Sequence, residues 1–363
     1  MHSRSSKKTF IIAEAGVNHN GSIKMACALI DVAAAAGADA VKFQTFKATE
    51  VISRHAPKAD YQKLTTSDSE SQLEMVQKLE LSEADHRVLI NHAKTKKIEF
   101  LSTPFDLPSL RLLTGRFELS TIKIPSGEIT NAPFLLEVAR TGRKVILSTG
   151  MSTLGEVETA LGVLAFGYKI DRDAKPGPNA FLIVFASDAG QAALRECVSL
   201  LHCTTEYPAP YAEVNLKAMD TLANAFGLPV GLSDHTMGIH IPIAAVALGA
   251  KIIEKHFTLD KSLPGPDHAA SLEPTELEQM VKAIREVEMA LGNGVKRPTA
   301  CEMKNRDIVR KSLVAAKPVL AGHVLGTEDI AIKRPGTGLS PMSYWDHLGS
   351  QAGRDYSVDE MLA

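Results

Sequence analysis

TFIIAEAGVNHNGSIKMACALIDVAAAAGADAVKFQT, residues 9–45, is the stretch that decides the fold. Its first part, residues 9–15, is a short apolar run of strand length, and residues 23–36 carry apolar side chains at helical spacing. A second strand-like run, residues 39–45, follows Gly37, a residue type that commonly ends a helix in the left-handed conformation. This order predicts two parallel strands joined by a helix.

The same alternation continues through most of the chain. Later runs with strand character are residues 98–103, 121–125, 144–148, 198–204, 229–233 and 251–257. Gly142 and Gly249 repeat the position of Gly37 between a helical segment and a strand. About eight parallel strands are enough to close a barrel, so we predict an α/β fold, a (β/α)8 TIM barrel.

The composition is typical of a globular protein. The chain has 363 residues, 45% of them apolar, and a formal net charge of -2 at pH 7. This is enough for one large core and a small appendage, and it favours neither nucleic acid nor a membrane as partner. Residues 1–9 show no signal-peptide pattern, which predicts a cytoplasmic location. The four cysteines are scattered, so reduced thiols are expected.

Polar residues stand near or just after the carboxyl ends of the predicted strands, where the active sites of TIM barrels lie. They include Glu14, Lys42, Thr103, Lys123, Ser126, Glu128, Ser148, Thr205, Tyr207, Ser233, His235, His256 and Asp267. Two imidazoles at neighbouring strand ends, His235 and His256, can share one divalent metal. Lys42 and Lys123 lie in apolar runs, where an unpaired ammonium is costly, and this predicts an anionic ligand. Taken singly, such a lysine is usually a solvated group and such a histidine a core residue, but together they favour an enzyme.

Several motifs resemble those of the sialic acid synthase family of nonulosonate synthases. They are IIAEAGVNHNGS, AVKFQTFKA, FLSTPFD, IKIPSGEITN, ILSTGM, LHCTTEYPAP, GLSDHT, IEKHFTLDK and GPDHAASLEP, and they span nearly the whole chain. The resemblance implies a metal-dependent condensation of phosphoenolpyruvate with the open-chain aldehyde of an N-acylated amino sugar. Phosphate and a nine-carbon α-keto acid are the implied products.

The family's binding residues are carried over position by position. The implied phosphoenolpyruvate pocket consists of Lys42, Thr103, Lys123, Ser126, Ser148 and Ser233. The implied metal ligands are His235 and His256, with manganese expected and magnesium or cobalt as alternatives. Thr205 stands where one branch of the family has asparagine, so the role of that asparagine is not transferred, and Thr205 is kept as a substrate-binding candidate.

Proton transfer and sugar binding are implied for four further residues. Glu14, Glu128 and Asp267 correspond to groups that bind sugar hydroxyls and move protons, with Glu128 as the expected main proton carrier. Tyr207 resembles the tyrosine on the sugar side of the family's site. Asp234 is expected either to orient the neighbouring histidine or to cap a helix.

The motifs also indicate which acceptor sugar the family branch uses. The sequences at residues 126–131, 202–210 and 235–240 are most similar to the family's bacterial branch that makes N,N'-diacetyllegionaminate from 2,4-diacetamido-2,4,6-trideoxymannose. N-acetylneuraminate synthesis from N-acetylmannosamine is the alternative, and pseudaminate synthesis a weaker third. A non-catalytic sugar-binding or ice-binding protein would have no reason to keep the lysines and histidines together. A synthase for an aldose phosphate would need a further basic site.

The C-terminal part is predicted to be a separate domain. We expect a barrel over residues 1–294, a linker over 295–306 and, by resemblance, an antifreeze-like SAF domain over 307–363. The resemblance also implies a domain-swapped homodimer in which Arg334 reaches the partner's sugar site, whereas the alternative for Arg334 is a pair with a local carboxylate. By the resemblance, residues 168–197 form a longer link into the sixth strand than is usual in the family.

Overall fold

The computed structural model describes residues 8–57 and 71–363. The strands are β1 Phe10–Gly16, β2 Ala40–Thr45, β3 Glu99–Pro104, β4 Thr121–Ile124, β5 Lys144–Ser148, β6 Val198–Cys203, β7 Val230–Asp234, β8 Ile252–His256, β9 Ser312–Ala315 and β10 Ile330–Lys333. The α-helices are Ile23–Ala35, Ala48–Val51, Gln72–Gln77, Glu83–Lys96, Leu107–Arg111, Ala132–Arg140, Leu154–Lys169, Pro178–Phe185, Asp188–Cys197, Ala218–Phe226, His240–Ala247, Pro274–Leu291, Ala300–Val309 and Tyr344–His347. The chain divides into two compact units, one ending at Gly292 and the other Asn293–Ala363.

The first unit is a barrel of parallel strands. Its sheet has the order β3-β2-β1-β8-β7-β6-β5-β4, and the end strands β3 and β4 lie side by side, so the sheet closes on itself. The predicted TIM barrel is therefore confirmed, and each predicted strand is found with ends within one residue of the prediction.

Local chemistry explains how the strands and helices are joined. Gly37, Gly142 and Gly249 have φ values of +79°, +70° and +97°, as their predicted turning positions require. Ser22 begins the first helix by accepting a hydrogen bond from the backbone N–H of Met25. These turns return the chain to the base of the barrel, so every strand runs in the same direction.

The barrel interior changes from apolar to polar at one level. The apolar level is a buried cluster of Ile12, Ala40, Leu101, Ile146, Leu201 and Ile252. Because side chains alternate along a strand, the residue two positions later faces the same interior. Those residues are Glu14, Lys42, Thr103, Ser148, Cys203 and Glu254. A polar layer thus lies directly above an apolar floor, at the carboxyl ends of the strands.

Residues 168–197 belong to the helical layer of the first unit. They include the helices Pro178–Phe185 and Asp188–Cys197, which both pack against Leu154–Lys169. Phe181 makes an edge-to-face contact with Phe166, with 5.3 Å between ring centroids. Residues 168–197 therefore add packed helix to the barrel wall.

The second unit has a small core of its own. It consists of Leu313, Ala315, Val319, Leu325, Ile330, Ala352, Tyr356 and Leu362, with β9 and β10 paired antiparallel. The predicted linker region contains most of the helix Ala300–Val309, whose apolar side chains Met303, Ile308 and Val309 are exposed. Among the described helices none is long and apolar enough to cross a lipid bilayer.

Candidate active site

A cavity of about 380 Å³ opens at the carboxyl ends of the barrel strands. All but two of the predicted site residues line it: Glu14, Lys42, Thr103, Lys123, Ser126, Ser148, Thr205, Tyr207, Ser233, His235, His256 and Asp267. The exceptions are Glu128 and Arg334. The fold thus brings residues from all eight strand ends to one place.

Four buried charged side chains form a cluster in the cavity wall. Lys42 Nζ lies 2.8 Å from Glu14 Oε2 and 3.5 Å from Glu254 Oε2. Lys123 Nζ lies 3.6 Å from Glu254 Oε1, so Glu254 sits between the two lysines. The most exposed of the four residues, Glu254, is only 4% exposed. Solvent and salt therefore screen these charges little.

Hydroxyl groups extend this charge cluster. The bonds run from Lys42 Nζ to Thr103 Oγ1 (2.9 Å), from Lys123 Nζ to Ser148 Oγ (2.7 Å) and from Ser233 Oγ to Glu254 Oε1 (2.8 Å). The Oε2 atoms of Glu14 and Glu254 lie within ion-pair range of Lys42 but have no hydrogen bond of good geometry to a described residue. These two carboxylate oxygens therefore keep acceptor capacity that the described residues do not use.

The two carboxylates of the cluster differ in pKa. Burial raises the pKa of Glu14 from 4.5 to about 7, because the charge of Lys42 offsets the desolvation only in part. Burial acts on Glu254 as well, but the two lysines and the Ser233 hydrogen bond outweigh it and lower its pKa to about 2. Glu254 is thus the permanently ionised partner of the lysines.

Glu254 corrects the prediction made for Lys42 and Lys123. Their burial indicated that an anionic ligand supplies the missing partner, but a carboxylate of the protein already does so. Sequence reasoning missed Glu254, although a signal was present. It stands two positions before His256 in β8 and so faces the same interior.

The histidine pair lies beside this cluster. The ring centroids of His235 and His256 are 5.5 Å apart, and the Tyr207 ring lies 4.2 Å from that of His235. His235 Nδ1 donates to the Thr204 carbonyl at 2.7 Å, so the lone pair of the ring, in its neutral form, is on Nε2. His256 Nδ1 is buried without a hydrogen-bond partner among the described residues. Burial, followed by the charges of His235 and Lys42, holds the pKa of His256 well below 6.5, so its ring is neutral.

These features fit a metal held by two imidazoles, because both histidines can present a lone pair. Within residues 8–57 and 71–363, no group of three or more His, Cys, Asp and Glu side chains is arranged to hold a metal. The protein would therefore provide two nitrogen ligands and leave the other positions to water or substrate oxygens.

Ser126 and Thr205 approach each other over Gly150. The N–H of Gly150 donates to Ser126 Oγ at 2.9 Å. A side chain at position 150 would collide with both hydroxyl groups, so glycine is required there. The Cys203 thiol lies 3.7 Å from Ser126 Oγ and completes this side of the cavity.

Asp267 enters the cavity from the loop that follows β8. Its side chain is buried, and burial raises its pKa from 3.8 to about 6, although the charge of His235 opposes the shift. A carboxyl group with a pKa near neutrality can donate or accept a proton at physiological pH.

An apolar wall forms another part of the cavity. We define it by Val17, Phe46, Met75, Val76, Leu79 and Phe105, which follow β1, β2 and β3 or lie at the helix Gln72–Gln77. Three of these, Val17, Phe46 and Leu79, are buried and pack together. The cavity therefore combines a part lined by buried charged side chains with an apolar surface.

Two predicted site residues, Glu128 and Arg334, do not line the cavity. Glu128, the expected main proton carrier, does not line the cavity, and its Oε2 accepts a 2.6 Å hydrogen bond from Asn131. It follows Ser126 and Gly127 on the short helical turn at the cavity rim. Arg334 belongs to the second unit, is exposed, and has no ion pair with a described carboxylate, which counts against the local-pair alternative.

Asp234 has neither of the roles considered for it. It is buried and pairs with Lys255 of β8 at 2.6 Å. It also accepts hydrogen bonds from the N–H and hydroxyl of Thr236. The next helix begins only at His240, so Asp234 is not its cap, and its contacts lie with Lys255 rather than with the His235 ring.

Comparison with known proteins gives the family. Residues 29–296 match the NeuB family. The chain is 53% identical to the N,N'-diacetyllegionaminic acid synthase of Campylobacter jejuni, over 98% of this chain and 99% of that protein. Identity to the N,N'-diacetyllegionaminic acid synthase of Legionella pneumophila is 44%, over 99% and 94%. The crystal structure of N-acetylneuraminic acid (sialic acid) synthetase from Leptospira borgpetersenii, in complex with citrate, matches with a TM-score of 0.67 and 34% identity, over 83% of this chain and 90% of that one. The resemblance drawn from the motifs is confirmed, and this chain belongs to the NeuB family.

Proposed function

We propose that this protein condenses phosphoenolpyruvate with 2,4-diacetamido-2,4,6-trideoxymannose to give N,N'-diacetyllegionaminate and phosphate. The observation that carries the proposal is one cavity that holds two buried lysines, two histidines and an apolar wall. Nearly full-length similarity to two proteins named N,N'-diacetyllegionaminic acid synthase supports the same product.

Phosphoenolpyruvate fits the lysine side of the cavity. Its phosphate and carboxylate are both anionic, and Lys42 and Lys123 present two ammonium groups to the same cavity. Hydroxyl groups of Ser126, Ser148 and Thr103 line the same region and can donate to the remaining oxygens. Glu254 keeps the two ammonium groups charged and at a fixed separation.

The reaction needs two proton transfers to or from the protein. C3 of phosphoenolpyruvate attacks the aldehyde carbon, whose oxygen takes a proton, and C2 becomes an oxocarbenium centre. Water adds to C2 and loses a proton, and cleavage of the bridging C2–O bond then expels phosphate, which takes the remaining hydroxyl proton as the C2 keto group forms. Asp267 and Glu14, with pKa values of about 6 and about 7, are the buried carboxyl groups in the cavity suited to these transfers. Glu128 stays a candidate by resemblance only.

A divalent metal completes the proposed site. His235 and His256 would hold it, with manganese expected and magnesium or cobalt as alternatives, and it would supply Lewis-acid polarisation of the aldehyde oxygen. The residues around it orient the His235 ring: Tyr207 packs against that ring, and the Thr204 carbonyl accepts a hydrogen bond from its Nδ1.

The apolar wall favours the diacetamido sugar. That sugar carries a methyl group at C6 and an acetamido group at C4, where N-acetylmannosamine has hydroxyls. Hydroxyls against Phe46, Leu79 and Val76 would lose water without gaining a hydrogen bond, which penalises N-acetylmannosamine. N-acetylneuraminate synthesis is the second candidate because of the similarity to the Leptospira synthetase.

The active protein is proposed to be a cytoplasmic homodimer. In it the antifreeze-like second unit crosses to the partner, and Arg334 enters the partner's sugar site. Support comes from the exposure of Arg334 and of the apolar side chains on the helix Ala300–Val309. Exposed apolar side chains on one short helix are typical of a surface that another chain covers.

Phosphate release tests the function directly. The protein would be given phosphoenolpyruvate, manganese and either 2,4-diacetamido-2,4,6-trideoxymannose or N-acetylmannosamine, with an EDTA-treated sample as control. Faster release with the diacetamido sugar, abolished by EDTA, is expected. Preference for N-acetylmannosamine would replace the substrate and keep the chemistry, whereas no release with either sugar would refute the proposed function.

A further inference from the structure

We propose that Asn18 and Ser271 are positioning residues that hold Asp267 in the cavity, an inference that rests on the proposed function. Asp267 lies in a loop whose ends are fixed, since Leu272 N donates to the His256 carbonyl at 2.9 Å. Fixed ends do not set the position of a residue in the middle of a loop. A further contact is needed to hold Asp267 beside the histidine pair.

A buried chain of hydrogen bonds provides that contact. Asn18 Nδ2 donates to Ser271 Oγ at 2.9 Å and to the Phe257 carbonyl at 2.8 Å. Ser271 Oγ in turn donates to the Asp267 carbonyl at 2.6 Å. The direction of the chain is fixed, because an amide NH2 only donates and a carbonyl only accepts. Asn18 and Ser271 are each 1% exposed, so water cannot replace them.

A second contact holds the outer side of the same loop. Asn20 Nδ2 donates to the Pro264 carbonyl at 2.8 Å, and Asn20 Oδ1 lies 3.2 Å from His268 Nε2. The turn after β1 therefore contacts the loop at two points. Asn18 makes the buried contact, and Asn20 makes the contact at the rim. Loss of the buried contact would leave the loop attached while changing the position of Asp267.

The test removes the hydroxyl of Ser271. Ser271→Ala should lower kcat by about 10- to 100-fold, the usual effect of removing a partner that orients a reacting group. The KM for phosphoenolpyruvate and the melting temperature should stay near the wild-type values, because the lysine cluster is untouched. Ser262→Ala is the matched control: Ser262 lies in the same loop, is exposed, and bonds only locally to Asp260. It should behave as wild type.

A double-variant comparison distinguishes this inference from the proposed function. If Ser271 acts through Asp267, Ser271→Ala should cause no further loss of kcat in an Asp267→Asn background. Wild-type kcat in Ser271→Ala, or an undiminished loss in that background, would overturn the positioning role alone. A fully active Asp267→Asn would overturn the role of Asp267 itself. If Ser271→Ala does not fold, Asn18→Asp, which keeps the size but removes both donors, takes its place with the same outcomes.

Discussion

Glu254→Gln is expected to destabilise the barrel by removing the charge that lies between Lys42 and Lys123. The native environment lowers the pKa of Glu254 from 4.5 to about 2, which corresponds to roughly 3 kcal/mol of stabilisation of the ionised form. Removing one partner of a buried ion pair lowers the free energy of unfolding by a similar amount, about 3–5 kcal/mol. In a unit of this size, that loss lowers the melting temperature by on the order of 5 °C.

The sign of the pH dependence follows from the lowered pKa. A carboxyl group with a depressed folded pKa contributes stability that is present above its unfolded pKa of 4.5 and is lost as the pH falls towards 2. The difference between wild type and variant should therefore be full at pH 7 and should shrink below pH 4.5.

Phosphoenolpyruvate should partly reverse the loss. Its anionic groups are proposed to bind the same two lysines, so in the variant the ligand replaces a missing negative charge. The rise in melting temperature on adding the ligand should then be larger for Glu254→Gln than for wild type.

Thermal unfolding at pH 7, with and without phosphoenolpyruvate, measures both effects. Glu278→Gln is the control, because Glu278 is an exposed glutamate on the helix Pro274–Leu291 of the same unit. An unchanged melting temperature in Glu254→Gln would refute the structural reasoning. A ligand response no larger than that of wild type would refute the proposed placement of phosphoenolpyruvate beside the two lysines.

Four further predictions test other parts of the site. His235→Ala and His256→Ala should each abolish manganese binding and turnover without changing the circular dichroism spectrum, and retained turnover in either would end the metal proposal. Burial raises the pKa of Asp267 from 3.8 to about 6, so the folded state holds its proton more tightly than the unfolded chain. The stability of wild type should therefore fall by about 3 kcal/mol relative to Asp267→Asn as the pH rises from below 3.8 to above 6, and parallel stability curves would contradict this. Arg334→Ala should raise the KM for the sugar more than that for phosphoenolpyruvate, and mixing it with an inactive barrel variant should restore activity; no restoration would argue against swapped domains. Leu79→Asn should reduce the preference for the diacetamido sugar over N-acetylmannosamine by about 10-fold or more, measured as the ratio of the two kcat/KM values, and an unchanged ratio would exclude the apolar wall as the selective element.

Strand positions were predictable because local pattern and geometry agree in a barrel. An apolar run ending in a polar residue identifies both the strand and the side chain at its carboxyl end, and glycines such as Gly37 identify the turns. Parallel pairing then places Glu14 level with Lys42 and His256. Most of the cavity lining follows from these facts alone.

The partners of the buried charges could not be identified in the same way. Lys42 lies in β2 and Lys123 in β4, and no local pattern indicates that both point to Glu254 in β8. The role of Asp234 was not predictable for a related reason: its neighbour in sequence is His235, whereas its partner Lys255 lies across the ladder in the next strand. The apolar wall comes from segments between strands, where side-chain direction depends on tertiary packing rather than on period.

The apolar floor explains why the lysine cluster is available to a ligand. Ile12, Ile146 and their neighbours close the barrel directly below the charges, so water reaches the ammonium groups only from the cavity. The free-energy cost of burying these lysines is therefore offset by the negative charge of Glu254 within the protein and by the charge of an anion that enters from the cavity. A doubly anionic ligand gains more from this arrangement than a neutral sugar, which has no charge to offer. The two-residue step from floor to polar layer thus supports the proposed placement of phosphoenolpyruvate on the lysine side, with the sugar beside the histidines, Asp267 and the apolar wall.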